Sequence, residues 1–276
     1  MDKLSNSELL QLSTVRLECA MTNGQTSVGT GFYFAFENTE TEIDRIAIIT
    51  NKHVIKDSIN LTIWITPIDN DKKPNYTSNF KTTISIMESD WIEHPDTEID
   101  LCILPFHKFY DDLVLKVGKF FIFAYTKKYL ANSEKLNSLN AIETITMIGY
   151  PNGIWDKTNN LPVIRQGITA SHPKLNYNGK SEILIDCACF PGSSGSPVLV
   201  YNHGGYATKE GNFDVQGRLI LLGILYSGPL YLADGEIVIN PISTLPNIKI
   251  ETSLTMNLGI IIKSEKILDF DTLIKI

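Results

Sequence analysis

Short apolar runs rich in β-branched residues recur along the chain, separated by polar or Gly/Asn/Asp/Pro clusters, which is the pattern of strands joined by turns. In the first half they occupy 14–20 (TVRLECA), 27–36 (SVGTGFYFAF), 45–50 (RIAIIT), 60–68, 81–87 and 100–106. In the second half they occupy 143–150, 162–170, 182–189, 196–201, 218–226, 236–240 and 258–264. Helical spacing is sparse. Residues 107–118 and 132–139 predict short helices between the two strand groups. From Ser264 the tail sets Ile267, Leu268, Phe270 and Leu273 near helical spacing, which predicts a C-terminal helix. Residues 179–182 and 202–217 read as loops. Two groups of strands joined near 107–140 predict an all-β chain: two packed six-stranded antiparallel β-barrels with a short C-terminal helix. The implied division is 1–118 and 119–276, and neither half repeats the other.

Composition narrows the class. A chain of 276 residues with 43% hydrophobic and 20% charged residues can bury a real core and is not disordered. A net charge of −7 without any basic run argues against a nucleic-acid partner. The N-terminus lacks a basic, apolar, small-residue leader, and no apolar run approaches the roughly 20 residues that cross a bilayer. The expectation is a cytoplasmic protein without a membrane partner. Four cysteines are too few for a disulfide scaffold, and Cys187 and Cys189 read as buried thiols rather than a metal or redox pair. No cofactor is expected.

Chemistry concentrates in CFPGSSGSPVLV, residues 189–200, where three serines fall among glycines and a proline within an apolar stretch. A turn alone would take these residues for backbone reasons. A nucleophilic serine would need the same glycines to shape the donors around it, plus a base and a group that orients the base. His53 ends the run RIAIITNKH just past a buried-looking strand, and Asp100 leads directly into the wholly apolar LCILPF. Each has an ordinary reading, as a half-buried structural histidine and a solvated strand-start carboxylate. A carboxylate at the mouth of an apolar strand is nevertheless costly to bury without a partner. The order is His53, Asp100, then the serine segment, with the first two on the first barrel and the last on the second. A cleft between barrels would gather all three, as in one of the convergent Ser-His-Asp arrangements.

On these segments the chain resembles the trypsin/chymotrypsin-fold serine proteases, nearer to their bacterial HtrA-like branch. The matching stretches are GTGFYF (29–34), TNKHV (50–54), DLCILP (100–105), GYPNG (149–153), GITAS (167–171), IDCACFPGSSGSPV (185–198) and LLGILYSG (221–228), in family order. The resemblance implies a serine endopeptidase with Ser194 as nucleophile, His53 as general base and acid, and Asp100 orienting the imidazole. It implies an oxyanion hole made by the backbone N–H groups of Gly192 and Ser194. It also implies a primary pocket walled by Ala188, Phe190, Pro191, Tyr226, Ser227 and Gly228, with Ala188 at its base and Cys189 following.

Departures from the family refine the expectation. Val54 stands where secreted relatives carry a disulfide cysteine, and Ser193 stands where zymogen-type relatives carry an aspartate that pairs with a liberated N-terminal amine. Activity without N-terminal processing is therefore expected. No carboxylate stands at the pocket base, so cleavage after small or medium apolar residues is expected, not after Arg or Lys. About fifty residues follow LYSG, which suffice to finish the second barrel and leave no separate peptide-recruiting domain. The expected partners are a protein or peptide substrate and a possible regulatory protein. One alternative is a catalytically inactive double-barrel module that binds peptides or a partner. A metal-dependent hydrolase is the other, and His94, His107, His172 and His203 lack paired ligand spacing for it. These four histidines read as loop or surface residues.

Overall fold

Alternation in the first half builds one antiparallel sheet from β1 (Thr14–Met21), β2 (Thr26–Phe36), β3 (Arg45–Thr50), β4 (Ser58–Ile65), β5 (Phe80–Ser85), β6 (Ile92–Glu93) and β7 (Cys102–Pro105). Its order is β5-β4-β1-β2-β3-β7-β6. This computed structural model describes residues 4–37, 45–236 and 249–274, with 230–236 and 249–255 described by their backbone alone. Along β1, Val15, Leu17 and Cys19 point into the sheet's own core. The apolar run of β2 does not alternate with polar residues, because both of its faces are covered. Tyr33 packs into that first core, whereas Phe32, Phe34 and Phe36 enter a second core shared with the other half of the chain. Likewise, β3 and β7 send Ile48 and Leu104 one way, and Ile49 and Ile103 the other.

The second half continues with β8 (Thr144–Gly149), β9 (Val163–Thr169), β10 (Glu182–Asp186), β11 (Pro197–Asn202), β12 (Tyr206–Ala207), β13 (Phe213–Asp214), β14 (Arg218–Ser227), β15 (Leu230–Glu236), β16 (Lys249–Thr255) and β17 (Leu258–Lys263). Six of these close into a barrel in the order β10-β17-β14-β11-β8-β9. Its interior holds Met147, Ile183, Val198, Leu222 and Ile261, while Leu199, Leu221, Ile224 and Ile262 reach the shared core. The architecture is therefore a chymotrypsin-like double barrel whose second member is closed and whose first is a seven-stranded sheet.

Among the described residues four short α-helices, α1 (Asn6–Gln11), α2 (Lys52–Ile55), α3 (His107–Val117) and α4 (Ser133–Ser138), punctuate the strands. The first is closed by a capping box between Ser5 and Glu8. The last two fall where spacing predicts them. After α3 the chain stays with the first sheet through Tyr125, whose N–H donates to Tyr33 O at 2.9 Å, and reaches the second barrel where Ala131 N donates to Leu221 O. The expected division at 118/119 lies before this crossing.

The expected C-terminal helix is present as a 3-10 helix over Ser264–Phe270. Ser264, Ile267 and Phe270 are all buried, and their spacing of three is the 3-10 period. The segment 202–217 is no plain loop, since β12 and β13 pair within it. Of the predicted strand 236–240, Glu236 ends β15 and the remainder lies outside the described residues. Among the described residues no helix is long and apolar enough to cross a membrane.

Candidate active site

The imidazole is presented by the shortest of these four α-helices. Strand β3 ends at Thr50, Asn51 occupies the N-cap position of α2, and Val54 and Ile55 anchor that helix in the first core. His53 consequently faces outward, with 47% of its side chain exposed. Its Nδ1 lies 2.5 Å from Asp100 Oδ2, and its backbone N–H donates to Asp100 Oδ1 at 3.2 Å. Asn51 Nδ2 in turn donates to the backbone carbonyl of Asp100 at 2.7 Å, so Asp100 is held through its main chain as well as through its carboxylate. A carboxylate accepting at Nδ1 fixes the proton there and leaves Nε2 as a lone pair facing away from Asp100.

The serine segment arrives from the second barrel. Ser193 N donates to Phe190 O at 3.0 Å, which closes a turn with Pro191 and Gly192 at its centre. Gly192 has φ 83°, a left-handed value that favours glycine. The Pro191 carbonyl accepts from Asn152 N at 2.6 Å. Because a trans peptide points its C=O and N–H in opposite directions, that bond aims the Gly192 N–H away from Asn152. The N–H groups of Ser193, Gly195 and Ser196 all have acceptors. Among the described residues, those of Gly192 and Ser194 have none. Two free donors flanking a bonded one at a partly exposed turn suit an incoming oxyanion.

Thr30 of β2 ties this segment to the first sheet. Its N–H donates to Ser194 O at 2.9 Å and its Oγ1 to Gly192 O at 3.0 Å, while its carbonyl accepts from Thr50 Oγ1 at 2.8 Å. Gly195 is required here, since a Cβ would sit 1.9 Å from Thr30 O. The structure thus joins His53 to Asp100 directly. It brings Ser194 to the same seam through Thr30 and Thr50, the latter one residue before Asn51. The Ser194 hydroxyl makes no hydrogen bond among the described residues. Both threonines lie within the GTGFYF and TNKHV stretches, yet nothing in those stretches marks them as the link.

A cavity of about 160 Å³ opens beside Ser194, lined by Cys189, Phe190, Pro191, Leu225 and Gly228 among others. Ser227 also lines it, whereas Ala188 and Tyr226 do not. The Ala188 carbonyl accepts from Arg165 Nη1 at 2.7 Å, and the Tyr226 hydroxyl donates to Glu182 Oε1 at 2.7 Å, away from the cavity. Burial, with Glu182 beside it, raises the Tyr226 pKa and keeps that hydroxyl protonated. A larger hollow of about 770 Å³ lies on the His53 side, where Ile55, Ile59, Met87 and Trp91 accompany His53 and Asp100.

His94 departs from the surface reading. It is 3% exposed, its Nε2 lies 3.0 Å from Asp269 Oδ2, and its ring meets Phe270 edge-on. Its ring therefore packs the loop before Asp100 against the C-terminal 3-10 helix. All four cysteines are free and buried. Burial pushes Cys189 up to about 12 and Cys187 upward in the same direction.

A family model described as a trypsin-like peptidase domain matches residues 29–205. Among solved structures, the HtrA-type protease AlgW with a tripeptide is similar at 15% identity and a TM-score of 0.50, over 95% of this chain and 60% of that one. The catalytically active tobacco etch virus protease complexed with product aligns at 14% identity and a TM-score of 0.47, over 83% and 73% of the two chains. Deg5 aligns at 16% identity and a TM-score of 0.44, over 82% and 88%. The chain spans 60% of the length of AlgW, and at this identity the likeness concerns the fold. No curated protein matches the chain.

Proposed function

The chain belongs to the trypsin-like peptidase family, and from that premise we propose that it is a serine endopeptidase working through His53, Asp100 and Ser194. The observation that carries the reading is the conjunction at one seam of a carboxylate-held imidazole and a serine flanked by free backbone donors. In this reading Ser194 Oγ attacks the peptide carbonyl carbon while His53 Nε2 takes its proton. The carbonyl oxygen becomes an oxyanion held by the Gly192 and Ser194 N–H groups. Collapse breaks the C–N bond, and the leaving amine takes the proton from His53. Water then hydrolyses the acyl-Ser194 ester with the same base. Asp100 stays ionised throughout and stabilises the imidazolium.

Cavity size and lining support an apolar residue before the scissile bond. At about 160 Å³ the cavity compares with the roughly 150 Å³ apolar hole that holds a benzene. Each methylene buried there contributes about 0.8 kcal/mol, whereas Arg or Lys would lose hydration and find no carboxylate among the lining residues. The tripeptide bound to AlgW is consistent with a peptide ligand. Four free thiols agree with a reducing compartment.

Digestion of a peptide library by the intact protein tests both claims. Cleavage should follow Ala, Val or Leu-sized residues, and Ser194→Ala should lower turnover by roughly 10⁴- to 10⁶-fold. Undiminished cleavage by that variant would sink the assignment.

A further inference from the structure

Strand β9 carries one feature that the catalytic reading leaves unused. Its burial alternates, with Val163, Arg165 and Gly167 each less exposed than Ile164, Gln166 and Ile168, so a guanidinium turns inward on the barrel side. Arg165 Nη1 donates to Ala188 O at 2.7 Å and to Ser193 Oγ at 2.8 Å. Ser193 is wholly buried, and its Oγ also accepts from Phe190 N at 3.4 Å. Arg165 Nε and Nη2 are buried without acceptors, and no carboxylate pairs with the guanidinium among the described residues. Burial accordingly lowers its pKa. A buried, unpaired cation is costly, and its place here calls for a reason.

We propose that Arg165 is a positioning residue that braces the segment from Ala188 to Ser193 and so holds the oxyanion-binding turn in its working shape. The two hydrogen bonds grip the segment at both ends. Between them lie Cys189, Phe190 and Pro191, which wall the cavity, and Gly192, which supplies one free N–H. Bonds from a charged donor are roughly twice as strong as neutral ones, so one nitrogen can fix a strand-free stretch of chain. The unneutralised charge also lies behind Ser193, next to the position where negative charge develops on substrate. Ser193 is thereby assigned a role: its hydroxyl is the acceptor through which an internal cation sets the turn, with no N-terminal amine involved.

The activity readout rests on the peptidase reading, so a second readout is needed that does not. The variants are Arg165→Met, Arg165→Lys and Ser193→Ala in the full chain, checked by thermal unfolding. Arg165→Met should lower kcat on a peptide amide by about 10²- to 10³-fold, the loss that follows removal of one oxyanion donor, with KM within about threefold. Arg165→Lys, or added guanidinium ion with Arg165→Met, should restore part of kcat. Amide hydrogen exchange should rise over 188–196 and not over 45–55. Should Arg165→Met fail to fold, Ser193→Ala carries the test, with a smaller kcat loss and the same local rise in exchange. Unchanged kcat and unchanged exchange in the folded variants would overturn the brace. If wild type turns over no faster than Ser194→Ala, the peptidase reading fails instead, and exchange alone decides: a local rise upholds the brace and no rise overturns it.

Discussion

Gly192→Ala isolates the proposed oxyanion turn from the rest of the site. The native φ of 83° costs an alanine about 1–3 kcal/mol. The added Cβ would also lie 2.7 Å from Tyr150 O and 3.2 Å from Asn152 N, both backbone atoms that cannot rotate aside. The least costly relief is rotation of the Pro191–Gly192 peptide. That breaks the 2.6 Å bond from Asn152 N and swings the residue 192 N–H away from Ser194. One oxyanion donor is lost, and kcat should fall about 10²- to 10³-fold, equivalent to roughly 2.7–4 kcal/mol of transition-state stabilisation. The cavity wall stays in place, so KM should change little. A peptide boronate, whose adduct is tetrahedral and anionic, should lose affinity in parallel with kcat, while the product peptide should not. Melting should drop by several degrees, at about 2–4 °C per kcal/mol for a chain of this class. Wild-type kcat in a folded Gly192→Ala variant would refute the assignment of that N–H.

Two further outcomes follow from the same geometry. Asp100→Asn offers an amide where His53 Nδ1–H and the His53 backbone N–H now find a carboxylate, and turnover should fall by about 10⁴-fold with the fold intact. Near-normal rates on the same peptide would show that the imidazole needs no such partner. The thiols set an alkaline limit. Burial lifts Cys19 to about 11 and Cys189 to about 12 from the ordinary thiol value of 9.0, so they stay neutral in the folded chain while the unfolded chain ionises. A raised folded pKa contributes stability below about pH 9 that is lost as pH rises toward 11–12. Urea midpoints should therefore fall across that window, and a flat profile would contradict the burial of these groups.

How much the sequence revealed depended on the range of the signal. Strands β1, β3, β7, β8 and β14 were legible because their apolar runs are local, and His53 and Asp100 because each ends or opens such a run. The pocket residues were less so. Tyr226 and Ala188 were assigned by position along the chain, but their contacts are made with Glu182 and Arg165, 44 and 23 residues away. Arg165 itself sits inside an ordinary strand pattern, and only barrel closure reveals that its inward face meets the nucleophile segment. The tail's helix is legible in the sequence, but its type is not. Spacings of three and four both read as helical until burial selects Ser264, Ile267 and Phe270.

The candidate site depends on a fixed register between the two halves, because His53 and Asp100 stand on the first and Ser194 on the second. A shift of about 1 Å at reacting groups can cost some 10²-fold in rate. Phe32, Phe34 and Ile49 interlock with Leu199, Leu221 and Ile262 in the shared core, and such close-packed surfaces do not slide. Thr30 then transfers that register to the chemistry. Its backbone N–H and hydroxyl grip Ser194 O and Gly192 O, and its carbonyl is gripped by Thr50, beside the helix that carries His53. The placement of Ser194 relative to His53 is thus set through one buried threonine on β2, with hydrophobic packing supplying the rigidity and hydrogen bonds the alignment.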